Sequence, residues 1–366
     1  MQITAAIARE ARRPFALETI EIDEPREGEV LVRLVAVGVC HSDIAARDQS
    51  LPVQMPIVLG HEGAGIVERV GPGVTKVAPG DKVVLTVGSC GECTNCRRGD
   101  VAYCEKGMTL NYSGRRPDGS ATLCCGSEPV GGYFFAQSSF ATYAIATQHN
   151  TVKVHADADL TMAAPLGCGI QTGAGAVMRS IAAKAGRSIA IFGGGSVGLS
   201  AVMGAKLAGC DPIIVIEPVA ARRTLAAELG ATHAIDPAAG DVTEAIRAIA
   251  ARGVDYVVDT TAVDAVVQAA LASLAPHGTM AFLGVPKKMD AVFSTSMLGF
   301  LASGATLKAV IEGDTDPDTY IPELLAHYEA GRLPLDKLVR TYPFDQINQA
   351  IEDQLAGLVV KPVLTF

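Results

Sequence analysis

The stretch "AIFGGGSVG", residues 190–198, decides the fold. It closes an apolar, strand-like run and opens a helix-like one. Gly193, Gly195 and Gly198 satisfy G-x-G-x-x-G, with Ser196 and Val197 inside the turn. The spacing alone is weak, since glycines also serve tight packing. Between a strand and a helix it means more. The chain turns sharply there, and a pyrophosphate can approach the free N–H groups at the positive end of the helix. A second strand-like run, "PIIVIE", ends at Glu217, nineteen residues after Gly198. An acidic side chain there can hold an adenosine ribose diol and repels a 2′-phosphate, which favours NAD over NADP. Arg222 and Arg223 pull the other way, because a nearby arginine accommodates that phosphate.

Outward from the turn, residues 185 to 310 alternate short apolar strands ("SIAIFG", "PIIVIE", "VDYVVDT", "GTMAFLG") with helical stretches. That alternation predicts a doubly wound parallel sheet. Residues 1–150 read differently. Runs such as "EVLVRLVAVGV", "AGIVERVG" and "DKVVLTV", punctuated by "GPGV" and "APGD", predict a mostly antiparallel β-domain. The last segment, 311–366, predicts a helix near Ile321–Ala330, an amphipathic stretch over Phe344–Leu355 and a final strand in "VVKPVLTF". The fold class is α/β, a mostly-β domain joined to a nucleotide-binding one.

Size and composition agree. A chain of 366 residues exceeds what one core usually serves, so two domains are expected. With 49% hydrophobic and 19% charged residues it has ample material to bury. A net charge of −9 repels phosphate backbones, which argues against nucleic acid as a partner. No polybasic run suggests a membrane surface. The uncharged runs Leu160–Met178 and Ser188–Ala205 have the length of membrane spans, but glycines break both, and Pro165 breaks the first. The N-terminal residues lack the apolar core of a secretory signal, so the nine cysteines point to metal or thiol roles in a reducing, cytoplasmic compartment.

Four of the cysteines crowd into "GSCGECTNCRRGDVAYC", residues 88–104: Cys90, Cys93, Cys96 and Cys104. Four thiolates close a tetrahedral zinc shell and leave no place for water, which is the structural type. Chemistry must lie elsewhere. "GVCHSD" holds Cys40, "LGHEGAG" holds His61 and "PLGCGIQTGAG" holds Cys168. Each is weak alone, for a lone cysteine is usually a small buried hydrophobe. Together they suggest a Cys₂His site with an open fourth position, the catalytic type.

With these motifs in place, the sequence resembles the zinc-dependent medium-chain alcohol dehydrogenases over essentially its whole length. The phrases "GVCHSD…RDQ…LGHEG", "FFAQSSF", "PLGCGIQTGAGA" and "VIEPVAARR" are similar to the bacterial aryl-alcohol (benzyl-alcohol) and geraniol dehydrogenase branch. The resemblance implies a GroES-like catalytic domain, residues 1–167 with 310–366, and a Rossmann NAD-binding domain, 168–309. It implies two zinc ions per chain, one catalytic on Cys40, His61 and Cys168 and one structural on the four clustered cysteines. NAD would lie on Gly193, Gly195, Gly198 and Glu217. Asp43 falls on the carboxylate that orients the zinc-binding histidine, Glu62 on the acidic residue behind the metal, and Ser42 on the hydroxyl that bonds the substrate oxygen. His41 stands where liver-type members place an arginine on the pyrophosphate, and Lys361 is expected at the same phosphates. Ala45 stands where those members carry the histidine that ends a proton relay, so proton release must take another route.

The implied reaction interconverts a primary alcohol, beside an aromatic ring or a carbon–carbon double bond, and its aldehyde. The partner is a small apolar alcohol or aldehyde, and the assembly a homodimer or homotetramer joined through edge strands of the nucleotide domain. Two other readings stay open: a secondary alcohol, polyol or glutathione–formaldehyde adduct on the same scaffold, and a non-catalytic nucleotide-dependent binding protein. Among the remaining residues, Cys124 and Cys125 are expected in a loop and Cys210 has no role. Of Phe134, Phe135 and Phe140, Phe140 is the candidate for the substrate pocket, with core packing as its alternative.

Overall fold

The computed structural model describes residues 1–286, 288 and 290–366. The chain divides into two compact units: Met1–Cys168 with Asp316–Gly331 and Leu338–Phe366, and Gly169–Thr315 with Arg332–Lys337.

The second unit is built on a six-stranded sheet, ordered His233–Ile235, Ile213–Ile216, Ile189–Phe192, Val254–Asp259, Leu274–Phe282 and Thr306–Ala309. Every neighbouring pair is parallel, with Ile189 opposite Ile213 on one side and Tyr256 on the other. The central runs "IAIF" and "IIVI" are buried along their whole length, as strands covered on both faces must be. The strand order reverses at Ile189–Phe192, and ligands of such sheets bind at the carboxyl ends of the strands beside that reversal. The glycine turn follows Phe192 directly and leads into the helix Ser196–Ala208.

The first unit holds two sheets. One runs Ile57–Val58, Gln2–Ala8, Ala16–Ile22, Leu123–Cys125, Glu128–Val130. The other runs Thr151–Lys153, Lys82–Leu85, Glu62–Val70, Glu29–Gly38, Lys361–Thr365, Val339–Pro343, with Tyr143–Thr147 also paired to Glu29–Gly38. The register is what positions the site. Gly38 stands opposite Glu62 on one side and Val363 on the other. The end of one strand, the start of the next and the start of the last strand therefore meet, and Cys40, His61 and Lys361 lie one to three residues from that meeting point.

Three expectations shift. Residues 310–315 and 332–337 belong to the nucleotide-type unit, where Glu312 accepts from the Gln171 side chain at 2.8 Å and Lys337 pairs with Glu228 at 3.0 Å. The helix expected near Ile321–Ala330 begins earlier, at Pro317, because Asp316 caps it by accepting from the Asp318 N–H. Cys124 and Cys125 lie on a short strand rather than in a loop, facing Glu21 and Glu18. Among the described residues no helix is long and apolar enough to cross a membrane.

Candidate active site

The four clustered cysteines sit in a loop that two short turns fold back on itself. Cys93 caps the helix Thr94–Arg97, its sulfur accepting from the Cys96 N–H, and Cys104 follows the turn Val101–Tyr103. The four sulfurs all lie within 4.8 Å of one another, and Cys90 and Cys96 are 3.9 Å apart. Tetrahedral Zn–S bonds of about 2.3 Å require sulfurs about 3.8 Å apart, so the group fits zinc. Backbone N–H groups aim at the sulfurs: Cys90 at Cys104, 3.3 Å, and Cys93 at Cys90, 3.4 Å. Such donors stabilise thiolates. The Cys96 and Glu105 N–H groups lower the Cys93 thiol to about 6, whereas burial pushes Cys104 up to about 12.

The second group is drawn from three distant segments. Cys40, His61, Glu62 and Cys168 bring one ligand atom each within 4.8 Å of the others. Cys40 lies two residues past the strand Glu29–Gly38 and caps the helix His41–Arg47, whose third residue, Asp43, turns inward and is fully buried. Asp43 Oδ2 accepts from the Cys40 N–H at 3.0 Å. Its Oδ1 accepts from the Gly60 N–H at 3.0 Å and lies 2.8 Å from His61 Nδ1. That fixes the histidine ring and leaves its other nitrogen to face the two sulfurs. His61 Nε2 is buried and has no hydrogen-bond partner. An orphaned buried ring nitrogen beside two thiols is what a metal ligand looks like without its ion. Gly60 is required here: its φ is +87°, and a Cβ would lie 2.6 Å from Phe140.

The field at this point favours positive charge. Burial alone would lower the His61 pKa, but Asp43 and Cys40 outweigh it and hold it well above the ordinary value. The Cys40 thiol is held well below its ordinary value, first by a hydrogen bond from Cys168 and, against burial, by His61. A site that favours positive charge on a ring nitrogen beside two sulfurs suits a metal cation equally well. One half-buried hydroxyl stands nearby: Ser42 Oγ is 3.9 Å from Cys40 Sγ. Phe135 stacks on the His61 ring, centroids 4.4 Å apart and 25° between planes, with Phe134 edge-on at 5.8 Å. Tyr112 packs edge-on against Phe135 at 5.4 Å.

Two expected residues lie elsewhere. Phe140 is a core residue, fully buried and edge-on to Phe15 at 5.6 Å, so it lines no pocket. The rings packed against His61 are those of Phe134 and Phe135, from the same phrase of sequence and buried as well. Lys361 is fully buried and donates to both Glu62 oxygens at 2.9 Å and to the Val39 carbonyl at 3.2 Å. Its three hydrogens are spent behind the ligand set, not held out for phosphates. Sequence reasoning also missed Gln137, a fully buried amide bonded to the His61 carbonyl. A glutamine and two serines inside the apolar "FFAQSSF" were the available signal.

In the other unit the glycine turn has the shape that phosphate binding needs. Gly193 has φ +100°, and a Cβ on Gly198 would lie 1.8 Å from the Gly193 carbonyl oxygen. Glu217 is buried at the end of its strand. Its oxygens accept from the Gly194 N–H at 2.6 Å and the Val219 N–H at 2.8 Å, which pins the turn. A carboxylate has about four acceptor sites, so two remain for a ligand hydroxyl. Arg223 is engaged with the Glu217 and Pro218 carbonyls and with Asp236. Arg222 is half-buried, and its Nε has no partner.

Comparison with known proteins follows this geometry. A family model described as alcohol dehydrogenase GroES-like domain matches residues 26–156, and one described as zinc-binding dehydrogenase matches 196–329. A geraniol dehydrogenase of Castellaniella defragrans is 47% identical over 364 residues, 99% of this chain and 97% of that one. The crystal structure of an alcohol dehydrogenase zinc-binding domain protein from Burkholderia ambifaria superposes with a TM-score of 0.98 at 48% identity, covering 100% of this chain and 99% of the other. That of benzyl alcohol dehydrogenase from Acinetobacter calcoaceticus gives 0.96 at 41%, with the same coverage. Similarity along the whole length, on top of a Cys₂His group and a closed four-cysteine group, means that the chain belongs to the zinc-dependent alcohol dehydrogenase family.

Proposed function

We propose that this protein interconverts a primary aromatic or allylic alcohol and its aldehyde, with hydride passing to or from NAD. The observation that carries the reading is the buried trio Cys40, His61 and Cys168 around an unpartnered ring nitrogen. Zinc held there supplies Lewis acidity toward an alcohol oxygen. Asp43 keeps the His61 ring in the tautomer that offers Nε2. Ser42 receives the hydroxyl proton. With Ala45 in place of a relay histidine, no imidazole follows Ser42 on this helix to carry that proton on. The turn Gly193–Gly198, with Ser196 and Val197 at the helix start, would hold the dinucleotide phosphates, and Glu217 the adenosine ribose. His41, exposed at the start of its helix, would be a further donor to a phosphate.

The substrate class rests on the relatives, one a geraniol and one a benzyl alcohol dehydrogenase, and on the apolar packing about His61, where the buried rings of Phe134 and Phe135 stand behind the half-buried Tyr112. A second zinc on Cys90, Cys93, Cys96 and Cys104 holds its loop. A homodimer or homotetramer belongs to the same proposal. Thr306–Ala309 is an edge strand, and Val292, Met297, Leu298 and Leu301 in the segment before it in sequence are more than three-quarters exposed, a surface a second copy would cover. Thiolate ligands need a reducing compartment, and a cytoplasmic setting completes it.

The test is a set of initial rates on benzyl alcohol, geraniol, ethanol and sorbitol, with NAD and with NADP, beside metal analysis and light scattering. Benzyl alcohol and geraniol should exceed the others in kcat/KM by about tenfold or more, since an apolar pocket gains that much from a ring or an isoprenoid chain. A preference for sorbitol would overturn the substrate class. A preference for NADP would turn the cofactor assignment toward Arg222, whose free Nε is the observation on that side.

A further inference from the structure

The segment Phe134–Phe140 runs past the metal-type group in an uncommon backbone path. Phe135, Ala136 and Ser138 all have positive φ, 51°, 53° and 51°. None is glycine, and such conformations persist only where the surroundings impose them. Here three buried polar side chains do so. Ser138 Oγ donates to the Val58 carbonyl at 2.6 Å and accepts from the Phe134 N–H. Asn150 Nδ2 donates to the Phe135 and Ala136 carbonyls, 3.2 and 3.1 Å. Gln137 is the third. Its Nε2 donates to the His61 and Thr86 carbonyls, both at 3.0 Å. Its Oε1 accepts from the Gly63 N–H at 3.2 Å and from Ser139 Oγ at 2.7 Å. All four bonding positions of the amide are filled, which also fixes which way it faces.

Two bonds of Gln137 hold the backbone that leaves one ligand, and a third reaches toward another. His61 O and Gly63 N flank Glu62 where the strand Glu62–Val70 begins, directly after the ring. Thr86, held by the same amide, donates from Oγ1 to the Gly167 carbonyl at 2.7 Å, one residue before Cys168. A continuous buried chain thus joins His61, Gln137, Thr86 and Gly167. His61 and Cys168 are 107 positions apart in sequence, and this chain sets their spacing. The same segment carries Phe135, whose ring covers one face of His61.

We propose that Gln137, acting through Thr86, is a positioning residue that holds His61 and Cys168 at metal-binding separation and seats Phe135 on the His61 ring. This rests on the reading that Cys40, His61 and Cys168 hold the catalytic metal. Asp43 orients the ring from its Nδ1 side; Gln137 fixes the backbone beneath it. Partners of this kind, which touch a ligand rather than the metal, typically change metal affinity by about ten- to a hundredfold.

The experiment uses the full chain loaded with cobalt(II), whose absorption reports ligand geometry, in wild type, Gln137→Met, Thr86→Val and Thr86→Ser. Gln137→Met keeps the length and removes every bond; Thr86→Val removes the link to Gly167, and Thr86→Ser restores it. The expected result is an altered visible spectrum at the Cys₂His site and about tenfold or greater faster metal loss to a chelator in Gln137→Met and Thr86→Val. Thr86→Ser should match wild type, and the four-cysteine site should be unchanged in all three. KM for NAD should hold while kcat falls. If Gln137→Met does not fold, the Thr86 pair alone decides, since serine keeps the bond. Unchanged spectra and loss rates in folded Gln137→Met, or in Thr86→Val, would overturn the clamp. A wild-type chain that binds cobalt only at the four-cysteine site would instead overturn the catalytic-metal reading and the clamp with it.

Discussion

The two cysteine-bearing groups of the first unit use the same element of chemistry and are built in opposite ways. The outer group takes four ligands from fifteen consecutive residues, Cys90 to Cys104. It is held mainly by its own backbone N–H groups, and three of its four sulfur-bearing residues are only half-buried. The inner group takes Cys40, His61 and Cys168 from three segments spread over more than a hundred residues. Its supports are buried side chains: Asp43 on the ring, Lys361 on Glu62, and Gln137 on the backbone. A local group can close on its metal whatever the rest of the fold does. A dispersed one exists only when the fold is complete, and it can leave a coordination position open. On the proposed function, that difference separates a clip from a reacting centre.

The largest effect should come from the inner group. His61→Ala removes the orphaned nitrogen and should lower turnover of benzyl alcohol by at least about a thousandfold, because several kcal/mol of charge stabilisation go with the metal. Metal analysis should fall from two ions per chain to one, with the thermal midpoint little changed. Substantial turnover by a variant with one ion would break the division of labour between the two groups.

Cys96→Ser tests the other side. Losing a metal that ties a loop costs several kcal/mol, and the midpoint should drop by about 10 °C. Turnover per folded molecule, measured well below that midpoint, should stay within about twofold. A large loss of kcat with stability intact would mean that the outer group takes part in chemistry.

The contrast also explains what was legible in the sequence. The outer group was readable because its ligands are neighbours and spacing alone constrains them. The glycine turn was readable for the same reason, with Gly193 to Gly198 contiguous and flanked by a strand and a helix. The inner ligands required three weak phrases to be combined, and the family resemblance combined them. Tertiary partners were not readable at all. Lys361 was expected at phosphates through the resemblance alone; the register of Lys361–Thr365 against Glu29–Gly38 and its bonds show that it points at Glu62. Phe140 and Phe135 are both phenylalanines of one short phrase. Which one faces His61 depends on positive φ at Phe135, Ala136 and Ser138, and no local preference predicts that for such residues. Gln137 was hidden because a polar residue between aromatics reads as a break in an apolar run rather than as a clamp.

Asp43→Asn gives a smaller and sharper result. Asp43 accepts three bonds, from the Cys40 and Gly60 N–H groups and from the His61 ring. An amide must turn its NH₂ toward one of those donors, so one contact becomes repulsive. Inner-site metal affinity should fall by about ten- to a hundredfold, with the outer ion unaffected. Competition with a chelator measures both. Equal weakening of the two sites would mean that they are not independently built.

The smallest effect concerns thiol reactivity after both metals are removed by a chelator at neutral pH. Cys93 is lowered to about 6 because backbone N–H groups of Cys96 and Glu105 point at its sulfur, and those bonds belong to the loop rather than to the ion. A lowered pKa means that the thiolate persists to lower pH, so at pH 7 Cys93 is mostly ionised. Relative to an ordinary thiol near 8.5 it has about thirtyfold more thiolate, offset by about tenfold lower intrinsic nucleophilicity. Alkylation by iodoacetamide, read by peptide mass spectrometry, should therefore run only about threefold faster than at an ordinary exposed thiol. Its rate should fall off only as pH drops through about 6. Cys104, pushed up to about 12 by burial, should react far more slowly than Cys93. The Cys40 thiol is also lowered, but it is buried, and access limits it. Cys40 alkylated ahead of Cys93 would mean that the inner group is open without its ion, and that burial is not what distinguishes the two. Cys93 reacting with the pH dependence of a free thiol would mean that the loop collapses without metal, leaving neither group preorganised by its own backbone.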